Sequence, residues 1–158
     1  MAGANVELER VPGGRWSRER RVALALVLVG FIVAMALSPL RHGARMFFWN
    51  FGWYWTPQAL VLGVLLLFRP RAAVVAGAAA AMTLHFAGFH AWVREAMAWL
   101  FYLFSFPGAL VGAASAALVS KWRPGWSAAR TAVVATVLTA LGIALNHWAT
   151  VLTTGFGV

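Results

Sequence analysis

The sequence predicts an all-α membrane protein, a bundle of five transmembrane helices at about 22–40, 47–68, 72–90, 97–119 and 131–152. Composition is the first reason: 62% of the 158 residues are hydrophobic and 11% are charged. Soluble domains run at about 45–50% apolar and about 25% charged. Length is the second, because each apolar run holds 19 to 23 residues, and about 20 residues at ~1.5 Å rise cross the ~30 Å hydrocarbon layer. The third is the brevity of the connections, such as `RPR` after the second run, which forces antiparallel neighbours.

Residues 1–21 read as a short basic cytoplasmic tail and residues 22–158 as a single transmembrane domain. With the N-terminus inside, Arg10, Arg15, Arg18, Arg20, Arg21, Arg69, Arg71, Lys121, Arg123 and Arg130 fall on the cytoplasmic side. Arg41, Arg45 and Arg94 fall outside, so the positive-inside rule places the N-terminus in the cytoplasm and the C-terminus outside or in the periplasm. The net charge of +9 is thereby accounted for by topology and anionic headgroups, without nucleic acid as a partner. Arginine outnumbers lysine twelve to one and alanine is abundant, which fits a GC-rich bacterial genome and a multi-pass protein of the inner, cytoplasmic membrane.

In the first span, Ala34, Met35 and Ala36 match the small-x-small pattern of a signal-peptidase site. The apolar run continues through Leu40, so the segment is expected to remain as a permanent helix. The second span opens with `MFFWNFGWYW`, Met46 to Trp55, in which seven of ten residues are aromatic. Its aliphatic part, Gln58 to Phe68, reaches only ~16 Å, so the aromatic segment must supply the outer half. Pro57 then lies within the span and predicts a kink. The fourth span repeats the design, Met97 to Phe106 being followed by Pro107. `PQALV` at Pro57 and `PGALV` at Pro107 raise the expectation of two helix-hairpin repeats, 46–90 and 97–152. Small residues at intervals of four are expected at helix contacts: Gly30 and Ala34 in the first span, Gly77 and Ala81 in the third, Gly108, Gly112 and Ala116 in the fourth.

Cysteine and aspartate are absent, and the only glutamates are Glu7, Glu9, Glu19 and Glu95. Thiolate chemistry is excluded and carboxylate chemistry nearly so; no nucleophile motif is present, and the chain reads as a non-enzyme. Candidate site residues are polar side chains in the outer half of the bundle. Asn50, Tyr54 and Gln58 fall at i, i+4 and i+8 and share one helix face, which should point away from lipid. Most of the tryptophans form an interfacial belt. His85 and His147 should sit at similar depth, with Asn146 beside the latter.

The site residues therefore support two expectations: a ligand cavity lined by Asn50, Tyr54, Gln58, His85, Asn146 and His147, or haem b or a metal ion held by His85 and His147. Hydrogen bonding across helix interfaces accounts for the same residues without a ligand. Three functions follow. The first is a non-catalytic subunit or assembly factor of a membrane complex, with the bilayer and other membrane subunits or further copies of itself as partners. The second is a small transporter or permease-like module, and the third a haem or metal carrier.

Overall fold

The computed structural model describes residues 17–38, 43–92 and 99–154. They form six helices, α1 (Arg18–Leu37), α2 (Ala44–Leu67), α3 (Ala72–Trp92), α4 (Trp99–Phe104), α5 (Phe106–Trp122) and α6 (Ala128–Thr154), with no strand among the described residues. Because α4 and α5 meet at Ser105, they make one traverse from Trp99 to Trp122. By length and composition, four traverses can cross a membrane: α1, α3, α4–α5 and α6. At 24 residues α2 is long enough. Its mean hydropathy falls below that of the four because its first half spends positions on indole, phenol, amide and hydroxyl groups.

Two expectations about boundaries are corrected. The fourth span, expected as one helix over 97–119, is two helices divided at Ser105 and runs on to Trp122; residues 97–98 lie outside the described residues. Pro107 has no N–H for the carbonyl four residues back, and its fixed φ suits the first turn of a new helix. Pro57, by contrast, stays inside a continuous α2. The helices also extend past the apolar runs at the basic end. Ser17 Oγ accepts from Arg20 N at 3.4 Å and starts α1 at Arg18 rather than Val22. Ser127 Oγ accepts from Arg130 N at 3.2 Å and starts α6 at Ala128. Such caps satisfy orphan N–H groups irrespective of hydropathy, while long arginine stems lift their charges to water.

The helices pack in two layers. In one, α3 lies between α1 and α6, and all three run in the same direction; in the other, α2 and α5 run the opposite way. The closest seams are α5 with α6, α6 with α3, and α3 with α1, whereas α2 touches α1, α3 and α5 more sparsely. The two hairpins are accordingly packed differently: α5 and α6 lie tightly together, and α2 and α3 do not.

Backbone proximity explains the tight seams. At Gly112 an added Cβ would stand 2.8 Å from Thr139 Cα and closer still to the Leu138 carbonyl oxygen. Gly108 and Gly142 face each other, each blocking a side chain on the other. Gly77 of α3 meets α6 in the same way, 2.7 Å from Ala135 Cβ, and its carbonyl accepts from Thr136 Oγ1 at 3.1 Å. Helices in lipid gain little from hydrophobicity against one another, so close van der Waals contact between backbones carries much of the association. Ala34, Ala81 and Ala116 are also buried, while Gly30 packs beside Thr83 of α3.

At the other level of the fold, Arg71 joins three segments at the basic end. Its guanidinium donates to the Trp126 carbonyl at 2.9 Å, to Thr131 Oγ1 at 3.3 Å and to Glu19 Oε1 at 3.3 Å. Arg18, Arg20, Arg21, Arg69, Lys121, Arg123 and Arg130 share this end, and Arg130 stacks 4.5 Å above the Trp126 ring. Arg71→Ala is expected to lower the unfolding midpoint in detergent well beyond Glu19→Gln. The Glu19 pair is partly exposed and is worth at most about 1 kcal/mol, whereas Arg71→Ala also strips a carbonyl and a hydroxyl of their donor. Equal midpoints for the two variants would contradict this clamp.

Candidate functional site

The candidate polar residues, Tyr54, Gln58, His85, Asn146 and His147, lie toward the end opposite the basic loops, around the two proline positions. Tyr54 and Gln58, one turn apart on α2, are both buried. Gln58 Nε2 donates to the Tyr54 carbonyl and to the Tyr102 hydroxyl, each at 3.1 Å, and the Tyr102 hydroxyl donates to that same carbonyl at 3.0 Å. A helical proline opens the backbone in the preceding turn, and here side chains from two helices bond the carbonyl just after the one Pro57 deprives. Asn50, the third member of the expected polar line, is half-buried.

The α4–α5 junction is held in a similar manner. Ser105 Oγ donates to the Tyr102 carbonyl at 2.6 Å and faces His85 Nε2 at 3.0 Å. Asn146 Nδ2 of α6 donates to the Phe104 carbonyl. Thus α3 and α6 each send one polar side chain to the junction. Tyr102, with 1% of its surface exposed, is the hub: its ring stacks on His85 at 5.6 Å and meets Phe106 edge-on at 4.9 Å.

His85 and His147 are neighbours, with ring centroids 6.2 Å apart, and Phe89 lies about equally close to both. The hydroxyl proton of Ser105 goes to the Tyr102 carbonyl, so toward His85 the oxygen accepts. That places the His85 proton on Nε2 and leaves Nδ1 with a lone pair. Neither Nδ1 of His85 nor either nitrogen of His147 has a hydrogen-bond partner among the described residues. Both rings open onto a groove of about 910 Å³ between α3 and α6, whose walls include Phe89, Trp92 and Trp148.

Sequence reasoning thus reached Tyr54, Gln58, His85, Asn146 and His147 but not their hub, Tyr102, nor Ser105. The structure brings His85 and His147 together and puts Tyr54 and Gln58 on the far side of Tyr102 from them. Only Tyr102's place as one of two tyrosines in the chain marks it beforehand. His90 packs against Tyr54 and Trp99 at 6.4 and 5.9 Å, apart from the pair. His42, Arg94 and Glu95 lie outside the described residues.

Among the described residues, fold and site define an all-helical protein with four helices long and apolar enough to cross a membrane and a polar junction buried between two proline-bearing traverses. No protein-family model matches this chain, and neither a curated protein nor a solved structure is significantly similar to it.

Proposed function

We propose that the chain is a five-span protein of a bacterial inner membrane, with its N-terminus in the cytoplasm, serving as a non-catalytic accessory or assembly subunit of a membrane complex. Its fifth span is α2: 24 residues rise ~36 Å, and the helix turns Trp49, Trp53, Leu60 and Leu66 outward. Orientation is supported by the eight cations at the basic end against Arg45 at the other, counted among the described residues. Because the chain has no cysteine, single cysteines can report it directly. Cysteine at Lys121 should resist an impermeant maleimide in intact cells, and cysteine at Arg45 should react; the reverse pattern would invert the topology.

The observation that carries the accessory reading is the pairing of the polar groups at the buried junction, Thr139 Oγ1 of α6 being the one buried side-chain oxygen or nitrogen without a partner among the described residues. Gln58, Tyr102 and Ser105 are each at most 1% exposed, and each is bonded within the protein. They hold helices to one another and face no wet path. Mild-detergent extraction followed by native mass spectrometry should then find the chain in an assembly larger than one copy. A bare monomer under conditions that preserve other membrane complexes would sink the reading.

A transporter is the second reading, favoured by the bond from Tyr102 of α4, in the traverse that Pro107 interrupts, to Tyr54 of the proline-bearing α2, since interrupted helices commonly flank substrate paths. Unchanged uptake across a broad substrate panel after deletion of the gene would count against it. Haem held between the two histidines is less well supported. His85 Nε2 is engaged by Ser105, and the remaining Nδ1 adjoins its own Cβ, which would crowd a porphyrin. Among the described residues no group of three metal-ligating side chains forms.

A further inference from the structure

We infer that the groove between α3 and α6 is a binding site for a neutral, hydroxyl-bearing aromatic lipid of the quinol class, entered sideways from the bilayer. The accessory role does not require such a site, and the geometry of the groove alone leads to it.

Access comes first. Leu84, Trp92 and Trp148 line the groove and are 67%, 59% and 65% exposed, so its lips face the hydrocarbon. From Ala81 to Trp92 the α3 wall rises ~16 Å, about half of the apolar layer. A ligand therefore arrives from within the membrane and carries an apolar tail.

Charge decides the headgroup. Among the described residues that line the groove there is no lysine, arginine, aspartate or glutamate. A phosphate head would be stripped of water without a cation to meet it, at a cost of several kcal/mol. Phospholipids and fatty acids are poor occupants for that reason.

Hydrogen bonding then selects a hydroxyl. His85 Nδ1 offers a lone pair because the Ser105 bond holds the proton on Nε2, and an acceptor needs a donor opposite it. The nitrogens of His147, whose ring is 6.2 Å from that of His85, are also without partners among the described residues. A single hydroxyl can donate to His85 Nδ1 and accept from the N–H of His147. Polar groups left unmade in an apolar setting are costly, which gives such a ligand its advantage over plain hydrocarbon.

Aromatic walls select the ring. Phe89 is in ring contact with both imidazoles, and Trp92 and Trp148 line the same groove; offset or edge-on ring contacts add about 0.5–1.5 kcal/mol each beyond area. A phenolic or quinol head fits between them, with its tail along Leu84, Thr136 and Ala140. Binding alone is inferred, with no electron transfer.

The test is equilibrium binding of a radiolabelled short-tailed benzoquinol, kept reduced, to the full chain in detergent micelles. Saturable binding is expected, reduced at least tenfold in His85→Leu and in Gly88→Phe. The second variant fills the groove from a position where an added Cβ meets nothing within 4 Å, so it leaves the packing and the Ser105 junction intact. Gly63→Phe, equally unobstructed but on α2, should bind as the wild type does. Dodecanol, which has the hydroxyl without the ring, should compete weakly and phosphatidylglycerol not at all. The absence of saturable binding to the wild type would overturn the inference. So would undiminished binding to a monodisperse Gly88→Phe, or equal competition by dodecanol or phosphatidylglycerol.

Discussion

Replacing Gly112 by leucine is expected to lower the stability of the bundle by about 3 kcal/mol or more, the upper end for overpacking. The reason lies in what the new side chain would meet. Its Cβ is opposed by backbone of α6, 2.8 Å from Thr139 Cα and 2.9 Å from the Leu138 carbonyl carbon. A flexible neighbour could rotate away, but a backbone cannot, so the α5–α6 seam must open along its length and lose the Gly108–Gly142 contact with it. Gly63→Leu supplies the contrast, since nothing lies within 4 Å of a Cβ there. It should be neutral or gain up to about 1 kcal/mol from relieving glycine's poor helix propensity. Unfolding midpoints in detergent measure both. Near-identical midpoints for Gly112→Leu and Gly63→Leu would show that the seam is not formed as described.

Truncation of Tyr102 to alanine should be equally damaging, at about 3–5 kcal/mol, the range for large aromatic residues removed from a core. The ring is surrounded by His85, Phe86, Phe89, Trp99 and Phe106 at centroid distances between 4.9 and 5.8 Å. Tyr102→Phe separates packing from hydrogen bonding. It keeps the ring and loses only the hydroxyl, which bonds Gln58 and the Tyr54 carbonyl. About 1 kcal/mol is expected, because the Tyr54 carbonyl and Gln58 amide still have each other. A double-mutant cycle with Gln58→Leu should give a coupling of about 0.6 kcal/mol, the average for hydrogen bonds between membrane helices, and no more than about 1.7. A coupling of zero would mean that the two side chains do not meet.

The contrast between these two residues also shows what could be read without coordinates. Helical traverses were legible because a bilayer imposes a length on any apolar run, and that length needs no knowledge of neighbours. Gly108 and Gly112 stood out for the same kind of reason, since their spacing places them on one face whatever that face meets. Tyr102 did not, because its importance comes from Gln58, 44 positions away, and from two further helices, α3 and α5, converging on one ring. The break at Ser105 was hidden too: Pro57 and Pro107 sit in similar local contexts, yet one is absorbed within a helix and the other divides two. The tertiary contribution at the divided turn is Asn146 of α6, which bonds the Phe104 carbonyl from 42 positions away. Hydropathy also missed the helix starts at Arg18 and Ala128, which depend on serine caps.

The layer formed by α1, α3 and α6 has a consequence for how the chain is made. Its members are alternate traverses, so each tight seam skips over a helix that is synthesised in between. In the proposed membrane topology, α3 can close on α1 as soon as it is inserted, with α2 set aside in the second layer. α6 emerges last and finds two prepared surfaces at once, the Gly77 face of α3 and the Gly108–Gly112 face of α5. Until then Arg71 has only Glu19 to hold, because Trp126 and Thr131 arrive with α6. Final closure of the basic end is thereby tied to completion of the chain, and a nascent protein halted before α6 presents two bare glycine faces to whatever quality-control machinery surveys the membrane.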